Sequence, residues 1–260
     1  MATASCSSPD FPFLYPSYLG LGGNQVAIME FRRPEHRTIA AALRLMRADF
    51  FLANKCWFAG GTAIVMNLDE YRLSLDVDFL CADGEGYRVL RLAAIESGAG
   101  AFFGEPVTTL RDFRTDQYGI RTVLTLQDQA IRFEIVREAR IALEGTFDSR
   151  LNVPMLSLPD MFAEKLLANA DRCQDRTVAY RDAIDLGMLL TRYVEIPTVA
   201  VLKATEAYGQ DIERKIGWVL AKLKEETELR HAASVLQMDG DLAVRAIAAL
   251  RREAQRLWSV

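Results

Sequence analysis

The stretch Phe58–Leu80, FAGGTAIVMNLDEYRLSLDVDFL, decides how the chain is read. Adjacent glycines, Gly60 and Gly61, end one short apolar run, and Asp76 and Asp78 interrupt another. Residues two apart on a strand share a face, so Asp76 and Asp78 point the same way with Cα atoms roughly 6.5–7 Å apart. Leu75, Val77 and Phe79 are then expected to face a core. Two carboxylates so placed repel by ~2–3 kcal/mol at an effective dielectric of ~20. A divalent cation between them reverses that sign. Mg²⁺ suits the pattern, because it binds through one or two carboxylates, water and substrate phosphate. The plain alternative is the solvent face of an amphipathic strand.

Glycine lets backbone N–H groups come close to an anion, and a helix N-terminus favours negative charge. Gly60-Gly61, followed by Thr62 and an apolar run, therefore reads as a phosphate-binding turn. Taken alone, the glycines are equally served by a tight turn. In this order, however, a phosphate turn and a metal-binding strand edge are the two halves of a nucleotide site.

Further outward, Pro34–Asn54 has helix formers with an apolar face at Ile39, Leu43, Met46 and Phe50. KCWFAG predicts a short strand, TAIVMNL a short helix or turn, and LSLDVDFLCA a strand. EGYRVLRLAAIESG predicts a helix ended by Gly98. PVTTLRDF, IRTVLTLQ and AIRFEIVRE predict three strands joined by tight turns, an antiparallel meander. In the last of these, Ile131, Phe133 and Ile135 fall on one face and Glu134 on the other, with Arg132 and Val136. If this strand lies beside the aspartate strand, Glu134 offers a third carboxylate; alternatively it is an exposed partner of Arg132 or Arg121. From Pro154 onward the pattern is helical, with Ser157 as N-cap and Pro159 early in the next helix. The expected division is an irregular arm over 1–33, an α+β domain over 34–153, and a helical domain over 154–260.

The 260 residues are 50% hydrophobic, enough for a core, and the net charge of -4 excludes a bulk basic field for nucleic acid. Arg245, Arg251, Arg252 and Arg256 form a modest basic stretch, read as a solvated helix face or a contact for RNA. Cys6, Cys56, Cys81 and Cys173 show no CxxC pair, and only His36 and His231 are present, so a zinc site is not expected. No run reaches membrane-spanning length, and a cytoplasmic location is expected.

The Gly60–Phe79 segment resembles the first motif of the nucleotidyltransferase superfamily. More narrowly, it is similar to the AbiEii/AbiGii-type (MenT-like) nucleotidyltransferase toxins. The matching residues are Gly60, Gly61, Thr62 and Ala63, then Arg72, Ser74, Asp76, Asp78 and Phe79. The chain has Leu68-Asp69-Glu70-Tyr71-Arg72 where that family usually carries Gly-His-Arg. A second signature matches at Lys165 on one helix and Arg181, Asp182, Asp185 and Leu186 on the next. The resemblance implies a nucleotidyltransferase-like mixed sheet with flanking helices, followed by a C-terminal helical domain. It implies Mg²⁺ (or Mn²⁺) held by Asp76 and Asp78, with Glu134 as the third carboxylate. A nucleoside triphosphate would bind at Gly60, Gly61, Thr62, Arg72, Ser74 and Lys165. Asp76, Asp78, Lys165 and Asp185 are the catalytic candidates, with Lys165 reaching the triphosphate and Asp185 favoured over Asp182 as its companion. The implied acceptor is tRNA or a protein hydroxyl, in a toxin with a cognate antitoxin or a phage-defence role. A small-molecule (aminoglycoside-like) nucleotidyltransferase and a non-catalytic nucleotide-binding module are the alternatives.

Overall fold

The computed structural model describes residues 31–259. The expected arm and Cys6 lie outside these residues, apart from the arm's last three positions.

Seven strands form one mixed sheet: β1 (Cys56–Ala59), β2 (Asp76–Cys81), β3 (Thr108–Thr115), β4 (Gly119–Leu126), β5 (Gln129–Arg137), β6 (Gly145–Asp148) and β7 (Val153–Leu156). Their order is β3-β4-β5-β2-β1-β7-β6. β2 runs parallel to β5 and β1 parallel to β7, while the other neighbours are antiparallel. The predicted meander is β3-β4-β5. It places the aspartate strand directly beside the Glu134 strand.

Alternation along β2 sets the two faces. Val77, Phe79 and Cys81 are buried, while Asp76, Asp78 and Leu80 are half-buried. Phe79 stacks 4.5 Å from Phe51 and 6.1 Å from Phe133, with Phe58 and Phe102 completing an aromatic core on that face. Leu75 departs from the expected pattern: it precedes the strand and is 36% exposed, so core alternation starts only at Val77. Cys56 and Cys81 are buried, free and directly opposite each other across β1 and β2.

The single helix expected over 34–54 is two, α1 (Pro34–Arg44) and α2 (Ala48–Ala53). Between them Met46 bridges to Phe103, and Arg47 N–H donates to Phe102 carbonyl at 2.8 Å. This long-range pairing overrides local helix propensity. α3 (Gly60–Asn67) follows β1 directly, and α4 (Gly84–Ser97) ends at Gly98 with φ +53 as expected. β7 straddles position 154, where the helical pattern is expected to begin, and pairs with β1. The β6–β7 hairpin was not legible, because all four β7 residues are buried and show no alternation.

α5 (Leu158–Arg172) starts at the predicted N-cap, Ser157, whose side chain accepts from Asp160 N–H at 3.3 Å. α6 (Arg181–Tyr193), α7 (Thr198–Tyr208), α8 (Asp211–Lys222), α9 (Glu226–Val235) and α10 (Gly240–Trp258) complete the helical part. Gly187 lets α6 lie against the backbone of α10 at Ala246, where a Cβ would collide. Arg245, Arg252 and Arg256 sit on the exposed side of α10, and Arg256 is bonded to Glu253 at 2.7 Å. No helix of the described residues is long and apolar enough to cross a membrane.

Candidate active site

A cavity of about 300 Å³ lies between the open face of the sheet and the helices α5 and α6. Gly60, Gly61, Arg72, Ser74, Asp76, Asp78, Glu134 and Lys165 all line it. Of the residues singled out from sequence, Thr62 and Asp185 lie behind its wall, both fully buried.

The turn at its edge needs both glycines. Gly60 has φ +73, a region costly for any residue with a Cβ. A Cβ there would also lie 2.6 Å from Asp78 Oδ2. A Cβ on Gly61 would collide with the Arg72 guanidinium. These close approaches seat the start of α3 against the aspartates. Thr62 Oγ1 lies 2.8 Å from Ser74 Oγ, which ties this turn to the next loop.

The floor comes from β2 and β5. Asp76, Asp78 and Leu80 stand in register beside Arg132, Glu134 and Val136. Burial, then the charges of Asp76 and Glu134, push the Asp78 carboxyl up to about 7 against the opposing pull of Lys165 and Arg181. Glu134 turns toward β4, where Arg121 Nε donates to its Oε1 at 2.5 Å. Glu134 thus neighbours Asp78 across the strands and pairs with Arg121. Among the described residues no three acidic, histidine or cysteine side chains converge tightly enough to hold a metal unaided. Asp76 and Asp78 still fit a divalent ion as a pair. They are all-oxygen donors, their crowding makes ionised Asp78 costly without a cation, and the cavity leaves room for phosphate oxygens.

The roof is a chain of alternating charge. Arg72 grips Asp185 with two bonds, Nε to Oδ1 at 2.7 Å and Nη2 to Oδ2 at 2.8 Å. Lys165 Nζ lies 2.6 Å from Asp185 Oδ2 and 3.0 Å from Asp182 Oδ1. Arg172 closes the chain on Asp182 at 2.6 and 2.8 Å. Tyr71 OH donates to Asp185 at 2.5 Å. Burial alone would raise both aspartates, but Arg72 and Lys165 hold Asp185 below the usual carboxylate range, and Lys165 and Arg172 do the same for Asp182. The sequence favours Asp185 over Asp182 as the companion of Lys165, but the two aspartates share it. Asp185 makes no surface pair with Arg181. Arg181 instead lines the cavity. Arg172, not singled out from sequence, sits two turns beyond Lys165 on the same helix face, a spacing that could have revealed it.

The Glu70–Ser74 loop is fastened on several sides. Glu70 accepts from the backbone N–H groups of Arg32 and Arg33 at 2.6 and 2.9 Å and from His36 Nδ1 at 2.9 Å. Burial lowers the His36 pKa, so the ring is neutral, and its Nε2 accepts from Ser74 N–H at 3.4 Å. Leu73 N–H donates to Leu236 carbonyl at 3.0 Å. This loop thus joins α1, α6 and the end of α9.

The fold is shared with known proteins. The chain is similar in structure to a proposed nucleotidyltransferase from Helicobacter pylori, with a TM-score of 0.51 and 15% identity over 86% of this chain and 95% of that one. It is likewise similar to JHP933 from Helicobacter pylori, with a TM-score of 0.50 and 16% identity over 88% and 96%. At such identity these likenesses establish the fold alone. Among curated proteins none matches significantly. Residues 44–254 match the sequence family described as "Nucleotidyl transferase AbiEii toxin, Type IV TA system". That match spans the turn, the aspartate strand and both roof helices, and the chain belongs to the AbiEii nucleotidyl transferase toxin family.

Proposed function

We propose that the protein transfers a nucleoside monophosphate from a nucleoside triphosphate to a hydroxyl of tRNA or of a protein, in a reaction dependent on Mg²⁺ or Mn²⁺. In this reading it is the toxin of a toxin–antitoxin or phage-defence pair and meets a cognate antitoxin. One observation carries the reading: Asp76 and Asp78 share a cavity with the Gly60–Gly61 turn and with Lys165.

Each group has a task in this scheme. The Gly60–Gly61 turn and the start of α3 receive phosphate oxygens through backbone N–H groups. Asp76 and Asp78, with Glu134 beside them, hold the divalent ion. Bound there, the ion would supply charge neutralisation at the reacting phosphate. Lys165 lines the cavity as a cation fixed by Asp182 and Asp185, and it stabilises negative charge that develops on phosphoryl oxygens. Arg72 lines the cavity and faces the triphosphate, while Asp185, buried behind the wall, acts by fixing Arg72 and Lys165. A floor carboxylate, Asp78 or Glu134, takes the acceptor proton in this scheme.

The test incubates the protein with Mg²⁺, each of four α-labelled nucleoside triphosphates, total tRNA, and the protein itself as acceptor. Label on tRNA or protein that falls at least about a thousandfold in Asp76→Asn/Asp78→Asn supports the reading. Label that persists in the double variant would sink it. Triphosphate binding without label on either acceptor points instead to a small-molecule acceptor or a binding-only role.

A further inference from the structure

The open face of the sheet continues past the cavity. In register, Asp76 stands beside Arg132, Arg132 beside Val123, and Val123 beside Arg111. The next row runs from Asp78 through Glu134 and Arg121 to Arg114. Each row therefore starts at a floor aspartate and ends in an arginine on β3, the edge strand. Neighbouring strands lie about 4.8 Å apart, so the rows carry positive charge roughly 10–15 Å beyond the aspartates. Of these arginines Arg132 lines the cavity, while Arg111, Arg114 and Arg121 lie outside it.

The fold itself leaves most of this charge unused. Arg111, Arg114 and Arg132 are exposed and form no ion pair among the described residues. Arg121, 41% exposed, pairs with Glu134 and Asp116. Arg114 and Arg121 stand directly opposite each other, where like charges destabilise a sheet. Asp112, on β3 itself, pairs with none of them. The turn beside the opposed arginines carries Tyr118, an aromatic residue 66% exposed.

A single anion is gripped by converging groups, whereas these guanidiniums are spread over three strands. They suit an anion whose charge repeats along its length, and arginine binds phosphate with paired hydrogen bonds. An exposed ring near a basic track is a platform for a base. Because both rows end at the floor aspartates, a chain laid along them brings one end into the cavity. An acidic segment of a protein would meet the same arginines but has no need of rows that lead to Asp76 and Asp78. A local track of this kind is also what a chain of net charge -4 requires in order to hold nucleic acid. The α10 arginines are less free: Arg256 is bonded to Glu253 and Arg251 to the Leu220 carbonyl.

We infer that the open face of β3, β4 and β5 is the docking track of an RNA acceptor, with Arg111, Arg114 and Arg132 on its phosphates. The inference rests on the nucleotidyl-transfer reading above and selects RNA over a protein hydroxyl.

The test is equilibrium binding of labelled total tRNA, without triphosphate, over a range of salt concentrations. The proteins compared are wild type, Arg111→Ala/Arg114→Ala, Arg111→Lys/Arg114→Lys, and Arg245→Ala/Arg252→Ala on α10. Wild-type affinity is expected to fall steeply as salt rises. Loss of two phosphate contacts in the alanine pair should weaken binding about tenfold near physiological salt and flatten the logarithmic salt slope by about 1.4–1.8. The lysine pair should keep most of the affinity, and the α10 pair all of it. Triphosphate with Mg²⁺ should bind all four proteins alike. The inference is overturned if the β3 alanine pair binds tRNA as wild type does, if the α10 pair loses as much, or if wild type binds no tRNA. Polyglutamate held as tightly as tRNA through the same two arginines overturns it in favour of an acidic protein partner. Because the readout is binding, tRNA affinity lost with Arg111 and Arg114 upholds the track even if no transfer is found. Label transferred to protein alone, with no tRNA bound, defeats the track and leaves nucleotidyl transfer standing.

Discussion

The roof and the floor of the cavity treat charge in opposite ways. In the roof, Arg72, Asp185, Lys165, Asp182 and Arg172 alternate in sign, and each is bonded to its neighbours within 3.0 Å. In the floor, Asp76, Asp78 and Glu134 carry one sign on adjacent strands, and only Glu134 has a cationic partner. Burial penalises charge in both places. The roof offsets that penalty internally and becomes a rigid frame. The floor leaves it standing, with Asp78 held near 7. A protein that keeps repelling carboxylates in a cavity keeps them for a ligand that cancels the repulsion.

Substitution on each side gives the largest contrast. Asp185→Ala strands Arg72 as a buried, uncompensated charge, leaves Lys165 with Asp182 alone, and should destabilise by about 3–5 kcal/mol. Asp78→Asn should do the reverse in metal-free protein. The folded pKa of Asp78 lies above its unfolded value, so the acid form contributes stability that is present at low pH and is lost as pH rises through about 7. Asp78→Asn should therefore raise the urea midpoint at pH 8 and leave it nearly unchanged at pH 4, while abolishing transfer. Urea unfolding of both variants at the two pH values checks this. Equal destabilisation by both, at both pH values, would break the contrast.

The turn joining floor and roof is the next point to probe. Gly61→Ala places a Cβ against the Arg72 guanidinium and should cost about 1–3 kcal/mol, as overpacking does. It should also lower triphosphate affinity, read by titration, because Arg72 must shift off Asp185. Stability lost with unchanged affinity would show that the turn and the roof are independent.

Arg121→Ala gives the smallest expected effect. Its side chain is 41% exposed, so the pair with Glu134 contributes at most about 1 kcal/mol. Freed from Arg121, Glu134 should bind a divalent ion more tightly alongside Asp76 and Asp78, by a few-fold in a Mn²⁺ titration. Unchanged Mn²⁺ affinity would leave the two aspartates as the whole metal site.

Local sequence carried a large part of this design. The period-two pattern of β2, the glycine pair before α3, the three meander strands and the N-cap of α5 were legible because each depends on neighbours in the chain. The break of the first helix at Met46 was not, since its cause is a bridge to Phe103. The β6–β7 hairpin was hidden for a related reason: a strand buried on both faces loses the alternation that announces it. Within the site, Asp76, Asp78 and Lys165 could be named from motif and spacing, but partners could not. Asp182 and Asp185, three apart on α6, share a helix face by spacing alone, but that Lys165 reaches both depends on α5 packing directly against α6.

By itself the sequence determined which residues are the candidates that line the cavity, because a DxD strand and a glycine turn are local patterns with local geometry. The tertiary structure decided what each charge does. Whether a buried carboxylate is a frame or a ligand depends on which cation lies within 3 Å, and that distance is set by packing between segments far apart in the chain.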